Sequence, residues 1–222
     1  MTIQVNDINL YYEKAGQGPP LLLLHGNGES RRIFRGAMER LGERFTVYAI
    51  DSRGHGKSSR VKELHYADMA EDVARFIEAL GLEKPMLYGF SDGGIIGLLL
   101  AMKYPGLLGR LAASGANMNP QSLSKGFLRF AKAMYFITRS CKWKLMLTEP
   151  DISFEALARI VTPTLVLGGG RDIVEEAHTR AIAGAIPGAR LRILPGENHG
   201  SYVINSPKLY DIVAPFFGED RL

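Results

Sequence analysis

The sequence predicts an α/β fold, a mostly parallel sheet with helices packed on both faces, and three observations carry that prediction. Short apolar runs alternate with stretches of helical spacing along most of the chain. Several of the runs are continuous rather than alternating, as expected of strands buried on both faces. The loops that follow these runs are rich in Gly, Ser, Asp and His, and a sheet of this kind gathers its chemistry at the carboxyl ends of its strands.

The chain opens with two short alternating runs, Ile3 to Val5 and Ile8 to Tyr12, joined by Asn6-Asp7, a two-residue hairpin signal for an antiparallel pair. After the turn-rich Gly16-Gln17-Gly18-Pro19-Pro20, the continuous run Leu21 to Leu24 predicts a buried strand ending at His25-Gly26-Asn27-Gly28. Helical spacing from Arg31 to Leu41 leads to a strand over Phe45 to Ile50 and a Gly- and charge-rich loop over Asp51 to Arg60. A helix over Tyr66 to Leu80, a strand over Pro85 to Tyr88, a helix over Gly94 to Lys103 and a run from Leu107 to Ala113 continue the alternation. Later come a strand over Thr164 to Leu167, a turn at Gly168-Gly169-Gly170-Arg171 and a helix near Glu175 to Ile186. The strand Arg190 to Leu194, a loop from Pro195 to Gly200 and a terminal helix near Pro207 to Phe217 complete the pattern. Right-handed crossovers are expected between the parallel strands.

The strand rhythm fails between about Asn117 and Ile160, where Pro120, Pro150 and Pro163 punctuate largely helical sequence. The expected organisation is therefore one domain over 1–222 with a lid-like insertion at about 117–160. Within it, Lys125, Arg129, Lys132 and Arg139 fall at helical spacing on one side, while Phe127, Phe130, Ala131, Met134, Tyr135 and Ile137 fill much of the remainder. An ordinary amphipathic helix with a solvated basic face is the first reading. Attraction to an anionic substrate or a membrane surface is the alternative.

At 222 residues, with 46% apolar and 23% charged residues, the chain is long enough to bury one sizeable core. No Asp or Glu lies between Asp92 and Glu149, so the net charge of +4 belongs to one segment and argues against a protein that coats nucleic acid. The polar start, the short apolar runs and the single Cys141, read as a small apolar filler, fit a soluble protein of the reducing cytoplasm.

Gly89-Phe90-Ser91-Asp92-Gly93 fits G-x-S-x-G between a strand and a helix, the setting in which a serine hydroxyl is pushed out above a sheet. A hydroxyl must lose its proton as it attacks, so Ser91 needs a base. His199 is the best placed of five histidines, because it lies in the loop beyond a strand end. His25 sits on another motif loop, His55 in an expected surface turn, and His65 and His178 at helix flanks. An imidazole doing this work needs a carboxylate to hold its tautomer, and Asp172 follows a strand, although the cap of the next helix is its competing role.

With Asp172 and His199 added, the chain resembles the α/β-hydrolase superfamily in its serine esterase or lipase-like branch. The resemblance rests on His25-Gly26, on Asp51-Ser52-Arg53-Gly54-His55-Gly56-Lys57-Ser58, on the nucleophile elbow at Ser91, and on Asp172 and His199. It implies an eight-stranded sheet with a variable cap after the sixth strand, a Ser91-Asp172-His199 catalytic triad, and an oxyanion hole made by the backbone N–H groups of Asn27 and Asp92. Ser rather than Asp at position 91 disfavours the haloalkane dehalogenase and epoxide hydrolase branches. Asp92 reads first as an anion at a helix start; the elbow also resembles that of valacyclovir-hydrolase-like esterases, a resemblance that implies Asp92 as a selector of substrates carrying a positive group. Asp51, Arg53 and His55 read as braces for neighbouring loops.

The expected activity is hydrolysis of a small carboxylic ester or thioester through an acyl-enzyme on Ser91, with no cofactor and no metal. Phe127, Phe130, Met134, Tyr135 and Trp143, with Met146, are the candidate substrate contacts. Carbon–carbon bond hydrolysis, cofactor-free perhydrolysis and a non-catalytic binding module on the same scaffold remain as alternatives. Neither nucleic acid nor a membrane is the first expected partner, and the oligomeric state is open.

Overall fold

Leu21 to Leu24 have no exposed surface at all, and their side chains part by alternation: Leu22 and Leu24 enter one core, Leu21 and Leu23 the other. The same split runs through the next strand, where Tyr48 and Ile50 face one way and Val47 and Ala49 the other. Two cores on two faces are what a sheet covered by helices on both sides requires. The computed structural model describes residues 1–219, so the last three positions of the expected domain lie outside the described residues.

The sheet has eight strands: β1 (Thr2–Val5), β2 (Ile8–Ala15), β3 (Pro20–Leu24), β4 (Thr46–Asp51), β5 (Met86–Phe90), β6 (Arg110–Ser114), β7 (Thr164–Arg171) and β8 (Arg190–Asn198). Their spatial order is β1-β2-β4-β3-β5-β6-β7-β8. The β1–β2 hairpin is antiparallel, as Asn6-Asp7 predicts, and β2 also meets β4 antiparallel. All other pairings are parallel.

The helices are α1 (Arg35–Gly42), α2 (Tyr66–Ala79), α3 (Asp92–Lys103), α4 (Lys125–Thr138), α5 (Cys141–Thr148), α6 (Phe154–Leu157), α7 (Glu176–Ala185) and α8 (Lys208–Phe217). Apolar residues of α2, α3 and α7 fill one core, and those of α1 and α8 fill the other. The helical stretch expected from Arg31 begins as a 3-10 turn, Arg31–Phe34, capped by Ser30, before α1 takes over. Helices α4 to α6 all lie between β6 and β7, where the strand rhythm breaks. None of the described helices is long and apolar enough to cross a membrane.

Two expected boundaries are corrected. The glycines after Leu167, expected to turn, continue β7 to Arg171, and β8 runs past Leu194 to Asn198. Glycine clusters usually punctuate, but here they let two strands close tightly: a Cβ on Gly169 would stand 2.5 Å from the Glu197 carbonyl oxygen. The register shifts between Gly169 and Arg171, and the last pair, Arg171 with Asn198, comes one residue before Asp172.

Candidate active site

Ser91 sits between β5 and α3 with φ 53° and ψ −115°, a left-handed conformation that a non-glycine residue holds only under the insistence of its surroundings. The two flanking glycines explain how. A Cβ on Gly89 would lie 2.0 Å from the Gly93 oxygen, and one on Gly93 would lie 2.2 Å from the Leu24 oxygen. No side chain fits at either place, which is the physical content of the G-x-S-x-G spacing.

The strand ends bring Ser91, His199 and Asp172 together. The His199 Nδ1 lies 2.6 Å from Asp172 Oδ1, and its Nε2 lies 3.0 Å from Ser91 Oγ. An ionised carboxylate only accepts, so Nδ1 carries the proton and Nε2 is left to accept from the serine hydroxyl. Burial pushes the Asp172 carboxyl up, but the hydrogen bond and charge of His199, with the amides of Val174 and Gly169, hold it below the ordinary value. Asp172 does not cap the next helix: Glu175 occupies that position, and Asp172 accepts from the Val174 and Gly169 N–H groups instead. Gly115, just past β6, has φ +59°, and a Cβ there would lie 2.8 Å from His199 Cε1. The ring thus rests against bare backbone at Gly115, and its centre lies 4.9 Å from that of the Phe90 ring.

The loop after β3 approaches the elbow at Gly26, whose position is pressed by Ser91 Cβ and Glu29 Oε2. Glu29 accepts from the Gly26 N–H at 3.0 Å, and burial raises its carboxyl. Two histidines shape this loop from behind. His25 accepts from the Ser52 N–H through Nε2 and donates to the Gly26 carbonyl, and His55 accepts from the Gly28 N–H and donates to the Arg53 carbonyl. Burial drives both imidazoles down, to about 4 for His25 and about 3 for His55, so they work as neutral braces. His55 is buried rather than placed in a surface turn as the sequence suggested, because its Gly neighbours let the loop fold inward over Asp51. Asp51 collects the Arg31 guanidinium and the Arg31 and Lys57 amides, while Arg53 pairs with Asp72; both are structural. Neither the Asn27 nor the Asp92 N–H donates to another described residue.

Asp92 is more unusual than a helix-start anion. It is 4% exposed, its Oδ1 accepts from the Tyr66 hydroxyl at 2.8 Å, and its Oδ2 is buried with no partner among the described residues. Burial pushes its carboxyl up to about 7, against the pull of Tyr66. The basic segment does not surround it: of that segment's cations, Lys142 is the one whose charge acts on Asp92, and its carbonyl accepts from the Asn27 side chain at 2.8 Å.

Of the expected substrate contacts, Phe127, Phe130, Met134 and Tyr135 lie on α4 and Trp143 on α5. The Phe130 ring meets Trp143 edge-on at 5.6 Å and Phe127 at 6.4 Å, yet Phe130 is 53% exposed. These rings form a cluster of their own; the Asn27 side chain bonds the Lys142 carbonyl between the loop after β3 and α5. Tyr66, Glu29 and Lys142 were not singled out from sequence. Glu29 had a signal, since it sits two residues past Asn27 on a motif loop; Tyr66 and Lys142 reach the site only through space. A separate cleft of about 920 Å³ opens at the amino ends of the strands, far from this cluster in the sheet. No group of three His, Cys, Asp or Glu among the described residues is disposed to hold a metal.

Known proteins agree with this architecture. The model of a family described as alpha/beta hydrolase fold matches residues 19–139. Serine hydrolase BPHL of Homo sapiens is 30% identical, over 90% of this chain and 80% of its own length. A putative carbamate hydrolase, RutD, of Azorhizobium caulinodans is 36% identical, over 80% of this chain and 63% of its own. The enol-lactonase of Burkholderia xenovorans LB400 is similar in fold, with a TM-score of 0.81 at 22% identity over 99% of this chain and 100% of that one.

Proposed function

Because the chain belongs to the alpha/beta hydrolase family, we propose that it is a serine hydrolase that cleaves a small carboxylic ester or thioester through an acyl-enzyme on Ser91. The observation that carries this reading is the relay from Asp172 through His199 to Ser91, at 2.6 and 3.0 Å. His199 Nε2 takes the Ser91 proton as Oγ attacks the carbonyl carbon. The oxyanion that forms accepts from the Asn27 and Asp92 amides, each contributing roughly 3 kcal/mol in comparable sites, with the amino end of α3 behind them. His199 then hands its proton to the departing alcohol or thiol, and the second half repeats the sequence with water as the nucleophile. Asp172 keeps the ring oriented and stabilises its positive form.

The insertion at about 117–160 serves as the cap. Its two attachments support this reading: Ser122, Leu123 and Ser124 pair with Ile173 to Glu175 beside Asp172, and Lys142 meets Asn27 beside the oxyanion amides. Phe127, Phe130, Met134, Tyr135 and Trp143 would then supply apolar contacts to the acyl or leaving group. Ser91→Ala should lower turnover of a short chromogenic ester by about 10⁴-fold or more. A pure variant that retains activity rejects the assignment.

The partnerless Asp92 Oδ2 favours a substrate with a positive group, since an ammonium would supply the hydrogen bond that this buried oxygen lacks. An amino-acid ester should therefore be cleaved about tenfold or more faster, in kcat/KM, than its uncharged analogue. The preference should grow as pH rises through about 7, where Asp92 ionises. Equal rates for the two esters across that range would remove Asp92 from substrate selection.

A further inference from the structure

Helix α4 carries apolar residues on two opposite sides, one packed and one not. Successive residues advance about 100° round a helix, which turns Ala131, Leu128, Tyr135, Phe127 and Met134 toward α5 and the body; Ala131 is buried and the others are half-buried. The opposite side presents Lys125, Arg129 and Lys132 together with Phe136 and Ile137, which are 72% and 73% exposed. The guanidinium of Arg139, at the left-handed residue that ends α4, lies 5.2 Å from the Phe136 ring centre. Neither Phe136 nor Ile137 joins either core. Adjacent large apolar side chains with so much surface free, ringed by cations, mark an interaction surface rather than a solvated face. None of Lys125, Arg129, Lys132 and Arg139 forms an ion pair among the described residues, whereas Lys144 on α5 pairs with Glu63 at 3.3 Å.

We propose that the outward side of α4 docks on an anionic lipid surface. Phe136 and Ile137 enter the boundary between head groups and acyl chains, and the four cations meet lipid phosphates. The mixture of groups selects this partner. A second copy of the chain, related by a two-fold axis, would set the same four cations against one another. Nucleic acid would satisfy the cations but offer Ile137 nothing apolar to enter. Helix α4 packs on α5, and α5 touches the Asn27 loop, so the docked helix belongs to the carboxyl end of the sheet, as Ser91 does.

Flotation of the intact protein with vesicles tests this, using phosphatidylcholine alone and phosphatidylcholine mixed with phosphatidylglycerol. The protein should be retained on the mixed vesicles, less so as salt is raised, and weakly on the neutral ones. The triple change Lys125→Glu, Arg129→Glu and Lys132→Glu should lower that affinity about a hundredfold or more, at about fivefold for each cation near the surface. Phe136→Ser with Ile137→Ser should lower it about tenfold or more. Both variants should keep the wild-type thermal unfolding and the wild-type hydrolysis of a water-soluble ester, because these side chains touch neither core nor Ser91. No retention on mixed vesicles, or retention that both variants share, overturns the proposal. So does a dimer that Phe136→Ser dissolves, which would make the surface a contact between copies, or an affinity for duplex DNA that exceeds the affinity for vesicles.

Discussion

Asp172 receives three donors, His199 Nδ1 and the Val174 N–H on Oδ1 and the Gly169 N–H on Oδ2. An asparagine has one acceptor and one donor end, so either its amide opposes the Gly169 N–H or, flipped, it opposes His199 and Val174. In the first orientation the ring keeps its tautomer but loses the charge that stabilises imidazolium; in the second it loses both. Asp172→Asn should accordingly lower kcat by about a thousandfold or more, with the fold retained by circular dichroism, and a change of less than about tenfold would show that His199 does not depend on this carboxylate. Ser91, His199 and Asp172 were legible in the sequence because each falls within a few residues after an apolar run, at the same end of the sheet, even where the strand's own end was misplaced. Tyr66 was not, because its hydroxyl reaches Asp92 from the first turn of a helix 26 positions earlier. Nor was the burial of His55: a histidine flanked by glycines reads as a turn, and only the fold shows the loop turned inward.

The elements set the distances that the residues use, and glycines set how closely the elements approach. At Gly115 the backbone leaving β6 passes so near His199 that an alanine methyl would press on the imidazole at 2.8 Å, in a conformation already costly for a residue with a side chain. Gly115→Ala should therefore cost about 1–2 kcal/mol in stability but lower kcat about a hundredfold, since a displacement of the order of 1 Å at a reacting group costs about that much. Comparing Tm with kcat for this variant tests the distinction: a stability loss with unchanged kcat would mean that the ring has room to give. The strands themselves were plain from the sequence, because continuous apolar runs such as Leu21 to Leu24 leave few other structures open. The ends of β7 and β8 were not, since the same glycines that usually stop a strand here allow two strands to run on together. Helix α4 was legible as a helix with a basic side, but the exposure of Phe136 and Ile137 depends on which side faces α5, and spacing alone does not say.

At the scale of the whole molecule, Asp92 ties stability to pH. Its carboxyl titrates near 3.8 when exposed and at about 7 in the folded protein, because burial penalises the charged form more than Tyr66 relieves it. Between those two values the folded state holds a proton that the unfolded chain has released, so this group's contribution falls as pH rises through the window and levels off above about 7. The full span amounts to about 4 kcal/mol, at about 1.4 kcal/mol per pH unit, a large share of the margin of a domain this size. The two cores absorb that cost, and a buried charge kept at such expense points to selection for use rather than for stability. Asp92→Asn carries no titrating proton there, and its amide still accepts from Tyr66. Urea unfolding of both proteins should find the variant gaining about 3 kcal/mol on the wild type between about pH 5 and about pH 8. A constant difference across that range would mean that Asp92 does not titrate in the fold. The same variant should lose the preference for amino-acid esters, so that one substitution raises stability at neutral pH and removes selectivity together. A gain in stability with the preference intact would separate the buried charge from substrate choice.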